Sequence, residues 1–302
     1  MKPTCWLWTA MLVAGAGQLC AQEESARTPV IGTFAGTQVV NAQSIEVVPR
    51  KRSFGFMIQH RFGAFGPDEQ AWKQFAGLDL PANIRFAFQY SPINDAQLEV
   101  GRSKNGKTWD LVGKVRLLKQ TEEDEMPISV TLVADAALMS DDFLALSDRY
   151  FFADGTTPFV YRFGHRMSYS AQAVIARKFS RSFSLQVAPV SIYRNLVPIG
   201  ESNHMMALSV AARLKVTTKG SILAEASPVL TGRSPGQDRP PVALAYEVAT
   251  VGHVFQIVLA SSQEIIDQRI YPSAVSRYDE GYMHLGFNIA RTLFVKPKRA
   301  KS

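Results

Sequence analysis

The sequence predicts an all-β fold, a closed antiparallel transmembrane β-barrel of about twelve strands. Three observations predict it. Apolar and polar side chains alternate with a period of two in about twelve segments. These segments run for roughly 8 to 13 residues, close to the ~9–11 residues with which a tilted strand crosses a bilayer. The joins between the segments are unequal, and nearly all the long ones fall at one end of the predicted barrel.

The segment 282–294, YMHLGFNIARTLF, shows the alternation most clearly. Its apolar set is Met283, Leu285, Phe287 and Ile289, and the residues between them are small or polar. Because strand side chains point alternately to opposite faces, we expect the apolar set to face lipid and the other set the interior. We predict that this is the closing strand, paired with the first strand at 53–62 (SFGFMIQHRF). Phe294 would be the terminal aromatic residue that resembles the assembly signal of outer-membrane barrels. The barrel-assembly machinery, which recognises this signal, is therefore a predicted partner.

The lengths of the joins give the predicted barrel two different ends. Long joins span 63–82, 139–165 and 263–281, whereas 91–95 (SPIND) and 217–219 (TTK) are short. With the N-terminus in the periplasm, the long joins would face outward, as in outer-membrane barrels. A secreted soluble β-sandwich or lipid carrier shares the alternation and stays an alternative. The sequence favours the barrel because the more polar face is rich in Gly, Ala and Ser and the mature chain offers no disulfide.

The N-terminus has the layout of a secretory signal peptide. Residues 1–21 contain a basic Lys2, a short apolar run and small residues before Ala21, after which we expect cleavage. Lipid modification at Cys20 is an alternative that Leu19, directly before it, disfavours. The predicted location is therefore the outer membrane of a gram-negative cell. Both cysteines, Cys5 and Cys20, lie in this segment, so disulfide, thiol and cysteine–metal chemistry are excluded for the mature chain.

The predicted domain organisation has four parts. Residues 1–21 are the signal peptide, 22–52 a periplasmic or plug segment, 53–295 the barrel and 296–302 a basic C-terminal tail. The stretch from Thr33 to Val48 is expected to enter the lumen if the segment is a plug. The tail carries several of the charges behind the net charge of +7 and is expected to stay in the periplasm. Nucleic acid is an unlikely partner for an exported protein, and outer-membrane lipid is the expected one.

Catalytic and metal-binding patterns are weak. The string GHRMS places His165 and Ser168 close together, but neither the spacing nor an orienting Asn fits a barrel phospholipase. The five histidines form no H-x-H or H-x-x-x-H pair. We predict that the protein is not an enzyme and uses no cofactor.

Charged residues at the interior positions carry the most chemical information. One interpretation is a salt-bridged interior that keeps a narrow barrel closed, since opposite charges on adjacent strands stabilise each other. The other is a slightly cationic channel for small anionic solutes, with Arg85, Lys114, Arg116 and Arg213 along its path. The candidate lumen-lining residues are Arg61, Arg85, Glu99, Lys114, Arg116, Arg213, Glu225 and Glu247.

The chain resembles an uncharacterised family of gram-negative outer-membrane β-barrels that is known as a domain of unknown function. The resemblance covers nearly the whole mature chain and implies fold and compartment, but no activity, substrate or catalytic residue. It rests on strings that include TFAGTQVVNAQSIE (33–46), FAGLDLPANIRFAFQY (75–90), VGRSKNGKTWDLVGKVRLLKQ (100–120), IARKFSRSFSLQVAPV (175–190) and HLGFNIAR (284–291). The predicted function is an outer-membrane barrel of undetermined substrate with a structural or narrow transport role.

Overall fold

The computed structural model describes residues 28–67, 70–141, 151–233, 239–272 and 277–293. The predicted signal peptide, Phe294 and the basic tail lie outside the described residues. Among the residues it describes, no helix is long and apolar enough to cross a bilayer.

Thirteen strands form a single antiparallel sheet. They are β1 (Phe54–Phe65), β2 (Asn83–Tyr90), β3 (Ala96–Ser103), β4 (Thr108–Leu118), β5 (Ser129–Met139), β6 (Met167–Lys178), β7 (Phe183–Arg194), β8 (His204–Lys215), β9 (Gly220–Ala226), β10 (Val229–Thr231), β11 (Val242–Thr250), β12 (His253–Ala260) and β13 (Met283–Leu293). Two one-turn helices, α1 (Gln70–Lys73) and α2 (Asp267–Ile270), lie in the connections. Short 3₁₀ turns span Asn105–Lys107, Phe163–Arg166 and Tyr278–Glu280.

The sheet closes on itself because β1 pairs with both β2 and β13. Strands β9 and β10 occupy one position, since both pair with β8 and only Ser227 and Pro228 separate them. Proline has no N–H for the ladder and interrupts the strand there. Thirteen strands with β9 and β10 in one position leave twelve positions around the barrel. The predicted fold class and strand number are therefore confirmed, and the pairing of segments 53–62 and 282–294 is as predicted.

The two faces of the wall are inverted relative to a soluble protein. In β2, Phe86 and Phe88 are 41% and 66% exposed, whereas Arg85 and Gln89 are 1% and 4% exposed. In β13, Asn288 is buried, whereas the side chains of Met283, Leu285, Phe287 and Ile289 point to the outer face of the wall. A closed wall with apolar residues outside and charged residues inside suits lipid. The alternative of a soluble β-sandwich is wrong.

The two ends of the barrel differ, and we call them the turn end and the loop end. The turn end carries the joins 91–95, 119–128, 179–182, 216–219 and 251–252, and β1 starts there. The loop end carries the longer joins 66–82, 140–166, 195–203, 232–241 and 261–282, together with the tight turn at 104–107.

Two stretches of chain fill the interior. The N-terminal segment, residues 28–52, lies between the walls, and its Val39, Val40 and Ile45 are at most 1% exposed. These side chains belong to one buried cluster with inward residues of the strands, such as Val174 and Leu223. The inward loop, residues 261–272, follows β12 and contains α2, which contacts β6 and β7. The lumen is thus packed with chain from its own sequence.

The seam between β1 and β13 requires glycine at position 286. Gly286 lies opposite Arg61, and a Cβ there would overlap the carbonyl oxygen of His60. We predict that Gly286→Ala destabilises the folded barrel by about 1–3 kcal/mol, the usual cost of overpacking. The measurement is urea unfolding in detergent, together with the unheated, compact band in gel electrophoresis. Gly113→Ala is the control because nothing lies within 4 Å of its added methyl group, and equal losses in both variants would contradict the prediction.

Candidate functional site

Arg85 of β2 lies at the centre of a cluster of buried polar side chains in the half of the barrel nearer the loop end. The cluster is formed by four adjacent strands, β1 to β4. Its Nη2 donates to Glu99 Oε1 at 2.6 Å, its Nε to Asp110 Oδ1 at 3.0 Å and its Nη1 to Gln59 Oε1 at 2.9 Å. A second bond joins Nη2 to Asp110 Oδ2. All four side chains are buried. The register places them together, since Gln59 is opposite Arg85 on β1 and β2 and Gly101 is opposite Asp110 on β3 and β4.

Lys114 and Glu225 hold the N-terminal segment from different parts of the wall. Lys114 Nζ donates to the backbone carbonyls of Thr37, Ser44 and Glu46 at 2.7–2.9 Å. The Glu225 carboxylate accepts from the backbone N–H groups of three consecutive residues, at distances of 2.6–3.1 Å. Those residues are Val40, Asn41 and Ala42. A cation is thus matched to carbonyl dipoles and an anion to amide dipoles.

The other predicted lumen charges are also in contact with partners. Arg61 donates to the amide oxygens of Asn41 and Asn288 at 2.8 and 2.9 Å. Arg213 pairs with Glu247 at 2.9 Å, and Gln256 donates to the second Glu247 oxygen. These two clusters link β1 to β13 and β8 to β11.

Arg116 lies at the turn end, where it pairs with Glu46 of the N-terminal segment and with Asp95. Lys119 also pairs with Asp95, at 2.7 Å. Burial acts to raise the pKa of Asp95, but its hydrogen bonds and charge interactions with Lys119 and Arg116 outweigh burial and hold this pKa below its usual value.

Neutral amide side chains of the wall also contact the N-terminal segment. Sequence reasoning placed several of them inward but did not select them as site residues. The signal for them was present, because glutamine recurs at interior positions of the alternating pattern. The bonds are Gln59 to Gln38, Gln89 to Thr37, Gln97 to Val48, Gln186 to Gln43 and Ile45, Gln256 to Val39, and Asn288 to Val40, at 2.7–3.3 Å.

The inward loop is fixed to the wall by a second polar set. Gln172 Nε2 donates to Asp267 Oδ2 at 2.8 Å, and Gln263 Nε2 donates to the carbonyl oxygen of Pro81 at 2.6 Å. Burial raises the pKa of Asp267 to about 7, although the hydrogen bond from Gln172 acts to lower it.

The buried charges of the described residues are mostly negative. The cations that are at most 9% exposed are Arg61, Arg85 and Lys114, three in number. The carboxylates under the same limit number six, and they are Glu99, Asp110, Asp135, Glu225, Glu247 and Asp267. The half-buried charges include Arg116, Arg213 and Glu46, and the loop-end cavity adds Arg166, Arg194 and Arg269, so the excess of carboxylates holds for the fully buried groups alone.

Cavities remain at both ends of the lumen. One of about 250 Å³ at the turn end is lined by Phe34, Thr37, Glu46, Gln89 and His253, among others. Another of about 250 Å³ at the loop end has a lining that includes His165, Arg166, Arg194, Gln268 and Arg269. Between them, the N-terminal segment meets the inward loop around a space of about 20 Å³, enough for one water.

The catalytic and metal-binding patterns stay weak in three dimensions. His165 Nδ1 accepts from the backbone N–H of Arg162 and caps the short turn before β6. A Ser–His contact does exist, between Ser191 Oγ and His204 Nε2 at 2.9 Å, but it lies between β7 and β8 at an exposed site. Within the described part of the chain, no three His, Cys, Asp or Glu side chains converge as a metal site.

Closure, the inverted faces and the filled lumen define a membrane β-barrel. The chain belongs to the family described as "Membrane bound beta barrel domain (DUF5777)", which matches residues 34–293. The resemblance found in the sequence is therefore confirmed. The match covers most of the N-terminal segment, beginning at Phe34, as well as the barrel.

The chain is similar to several solved structures. The NanC porin is 6% identical over 80% of this chain and 100% of its own, with a TM-score of 0.47. A channel from Pseudomonas putida F1 is 10% identical over 82% of this chain and 98% of its own, with a TM-score of 0.48. Omp33 of Acinetobacter baumannii is 9% identical over 81% and 99%, with a TM-score of 0.44. No curated protein matches the sequence.

Arg85 offers a test of the buried network. We predict that Arg85→Met destabilises the barrel by about 3–5 kcal/mol, because two buried carboxylates lose their counter-charge. The triple variant Arg85→Met, Glu99→Gln, Asp110→Asn is expected to recover most of the loss. Urea unfolding in detergent measures both. The control is Arg177→Met, whose exposed pair with Asp124 contributes less than about 1 kcal/mol; equal effects at Arg85 and Arg177 would disprove the assignment.

Proposed function

We propose that this protein is an outer-membrane transport barrel whose lumen the N-terminal segment plugs at rest, and that a small polar solute passes when the segment is displaced. The substrate stays undetermined. The proposed location and the cleavable signal peptide follow from the N-terminal sequence, and the loop end is proposed to face outward. Fractionation tests the location, since recovery from the soluble periplasm without detergent would contradict it.

The polar interface between the segment and the wall carries this proposal. Side chains of the wall bond mainly to backbone groups of the segment, as Lys114, Glu225 and Gln256 do. Water can replace such bonds, because a protein hydrogen bond contributes only about 0.5–1.5 kcal/mol net. The wall left behind would be lined by charges and amides and would hydrate readily. A core with a purely structural role would gain no stability from charged and amide side chains, because apolar side chains of similar volume pack as stably or more stably.

The paired state of the basic residues argues against a path for anions. Arg85 and Arg213 contact carboxylates, and Lys114 is occupied by three carbonyl groups. The loop-end cavity has Arg166, Arg194 and Arg269 in its lining, so the sign of the ion that an opened lumen selects is left to the conductance measurement. The salt-bridged interior is thus the better supported of the two interpretations of these residues.

Conductance in planar bilayers tests the plug. We predict that the full chain gives almost no ion flow, whereas deletion of residues 33–48 produces discrete conductance steps. The inward loop would still fill part of the lumen after this deletion. A second variant therefore lacks residues 33–48 and also has residues 263–270 replaced with a short Gly-Ser linker. Silent membranes with the double variant, folded as judged by its unheated gel band, would refute the channel. The reversal potential in a KCl gradient reports the sign of the selected ion.

Glu225 tests how the segment is held. We predict that Glu225→Gln speeds modification of a cysteine at position 44 by about tenfold, since a charge-assisted bond contributes about 1.5–3 kcal/mol. Ser44 is 0% exposed, so modification by a polar maleimide reports displacement of the segment. Cys5 and Cys20 are replaced by serine in this background. Glu201→Gln, which affects only the pair with Arg194 at the loop end, is the control and is expected to leave the rate unchanged.

A further inference from the structure

We propose that Asp135, Ser170, Asp267 and Gln268 form a binding site for a hard divalent cation, which joins the inward loop to the wall at β5 and β6. Asp267 also lines the small space where the inward loop meets Asn41 and Ala42 of the N-terminal segment. The proposed cation is nevertheless held by the wall and the inward loop alone, so the proposal does not require that segment to move.

The fold brings wall oxygens and loop oxygens to one place. Asp135 of β5 and Ser170 of β6 are direct cross-strand partners on the inner face. Two residues further along β6, Gln172 binds Asp267 of the inward loop at 2.8 Å. The next loop residue, Gln268, places its Nε2 3.5 Å from the backbone carbonyl of Asp135. The strand pair of β5 and β6 and the inward loop therefore meet at these residues.

Three of these side chains carry oxygen atoms without any hydrogen-bond partner. They are Asp135 Oδ1, Ser170 Oγ and Gln268 Oε1. The three residues are 9%, 4% and 3% exposed. Buried polar atoms are almost always satisfied, and an unpaired buried carboxylate is especially costly. All three atoms can accept, so a cation placed between them would satisfy all three at once.

The protein's own cations are engaged elsewhere. Arg85 uses four of its five N–H groups in hydrogen bonds to Glu99, Asp110 and Gln59. Lys114 is held by carbonyl groups of the N-terminal segment, and Arg269 pairs with Glu264. An added cation would offset part of the excess of buried carboxylates.

The donor set determines which kind of cation fits. Two carboxylates, a hydroxyl and an amide oxygen are ligands typical of Ca²⁺ and similar hard ions, which complete their shell with water. No histidine or cysteine belongs to the cluster, which disfavours zinc and copper. Gln268 also lines the loop-end cavity, so that water and ions can reach the site from that end.

The test is calorimetric titration of the full-length protein in nonionic detergent with Ca²⁺ alone, with thermal unfolding as a second readout. We expect one Ca²⁺ per chain and a higher Tm when it is bound. Ser170→Ala removes only a hydroxyl without a partner, so the barrel should fold normally and bind Ca²⁺ about tenfold or more weakly. Asp135→Asn should abolish the Tm rise while leaving the metal-free Tm equal or higher. Asp279→Asn, an exposed acid of the same end, is the matched control.

Two results would overturn the site. One is the absence of Ca²⁺ binding at millimolar concentration, or binding that Asp135→Asn and Ser170→Ala leave unchanged. The other is a crystal structure from calcium-containing buffer with only a water between Asp135 and Gln268. Neither result depends on whether deletion of residues 33–48 opens a channel, so the site and the proposed function fail separately.

Discussion

The structure depends on the hydrogen bonding between a polar lumen wall and the backbone of residues 28–52. A barrel in lipid places its apolar side chains outside, and the alternation of the strand then directs the remaining ones inward. In this chain the inward set includes Lys114, Glu225 and several glutamines, which cannot stay unpaired in a dry interior. The N-terminal segment supplies their partners from its carbonyl and N–H groups. In this way one stretch of chain without regular structure satisfies side chains from around the barrel.

The same requirement explains why charge signs are distributed as they are. Arg85 lies between Glu99 and Asp110, and Lys114 faces carbonyl groups, so each cation is matched to local acceptors rather than to a solute. Glu225 in turn is matched to amide groups of the segment. Each fully buried cation and Glu225 are thus satisfied by contacts within the chain, which keep the N-terminal segment in the lumen.

The two closing elements differ in how they are attached. The N-terminal segment enters at the turn end, and its bonds reach strands on several sides of the barrel. The inward loop is a connection between two neighbouring strands, β12 and β13, so it is tethered at both ends. Residues 28–31 of the segment are held at the turn end by hydrogen bonds, such as the one from the Val30 N–H to the Gln120 carbonyl oxygen. Hydrogen bonds of this kind can exchange with water, whereas both ends of the inward loop are covalent connections to strands of the wall. This difference is why displacement is assigned to the segment, and a fixed cation site to the loop.

The period-two alternation in the sequence determined the strands, their faces and the closure of β1 on β13, because side-chain direction in a strand follows residue number alone. It also marked Arg85, Lys114 and Glu225 as interior residues. It did not determine the partners of Lys114 and Glu225, since Ser44 and Asn41 lie in an irregular segment whose path no periodicity encodes. The idea of a cationic path weighed the wall charges without Asp267, which the inward loop brings beside them. Only the tertiary structure decided which chain fills the lumen, because that depends on contacts between residues far apart in sequence, such as Val40 and Glu225.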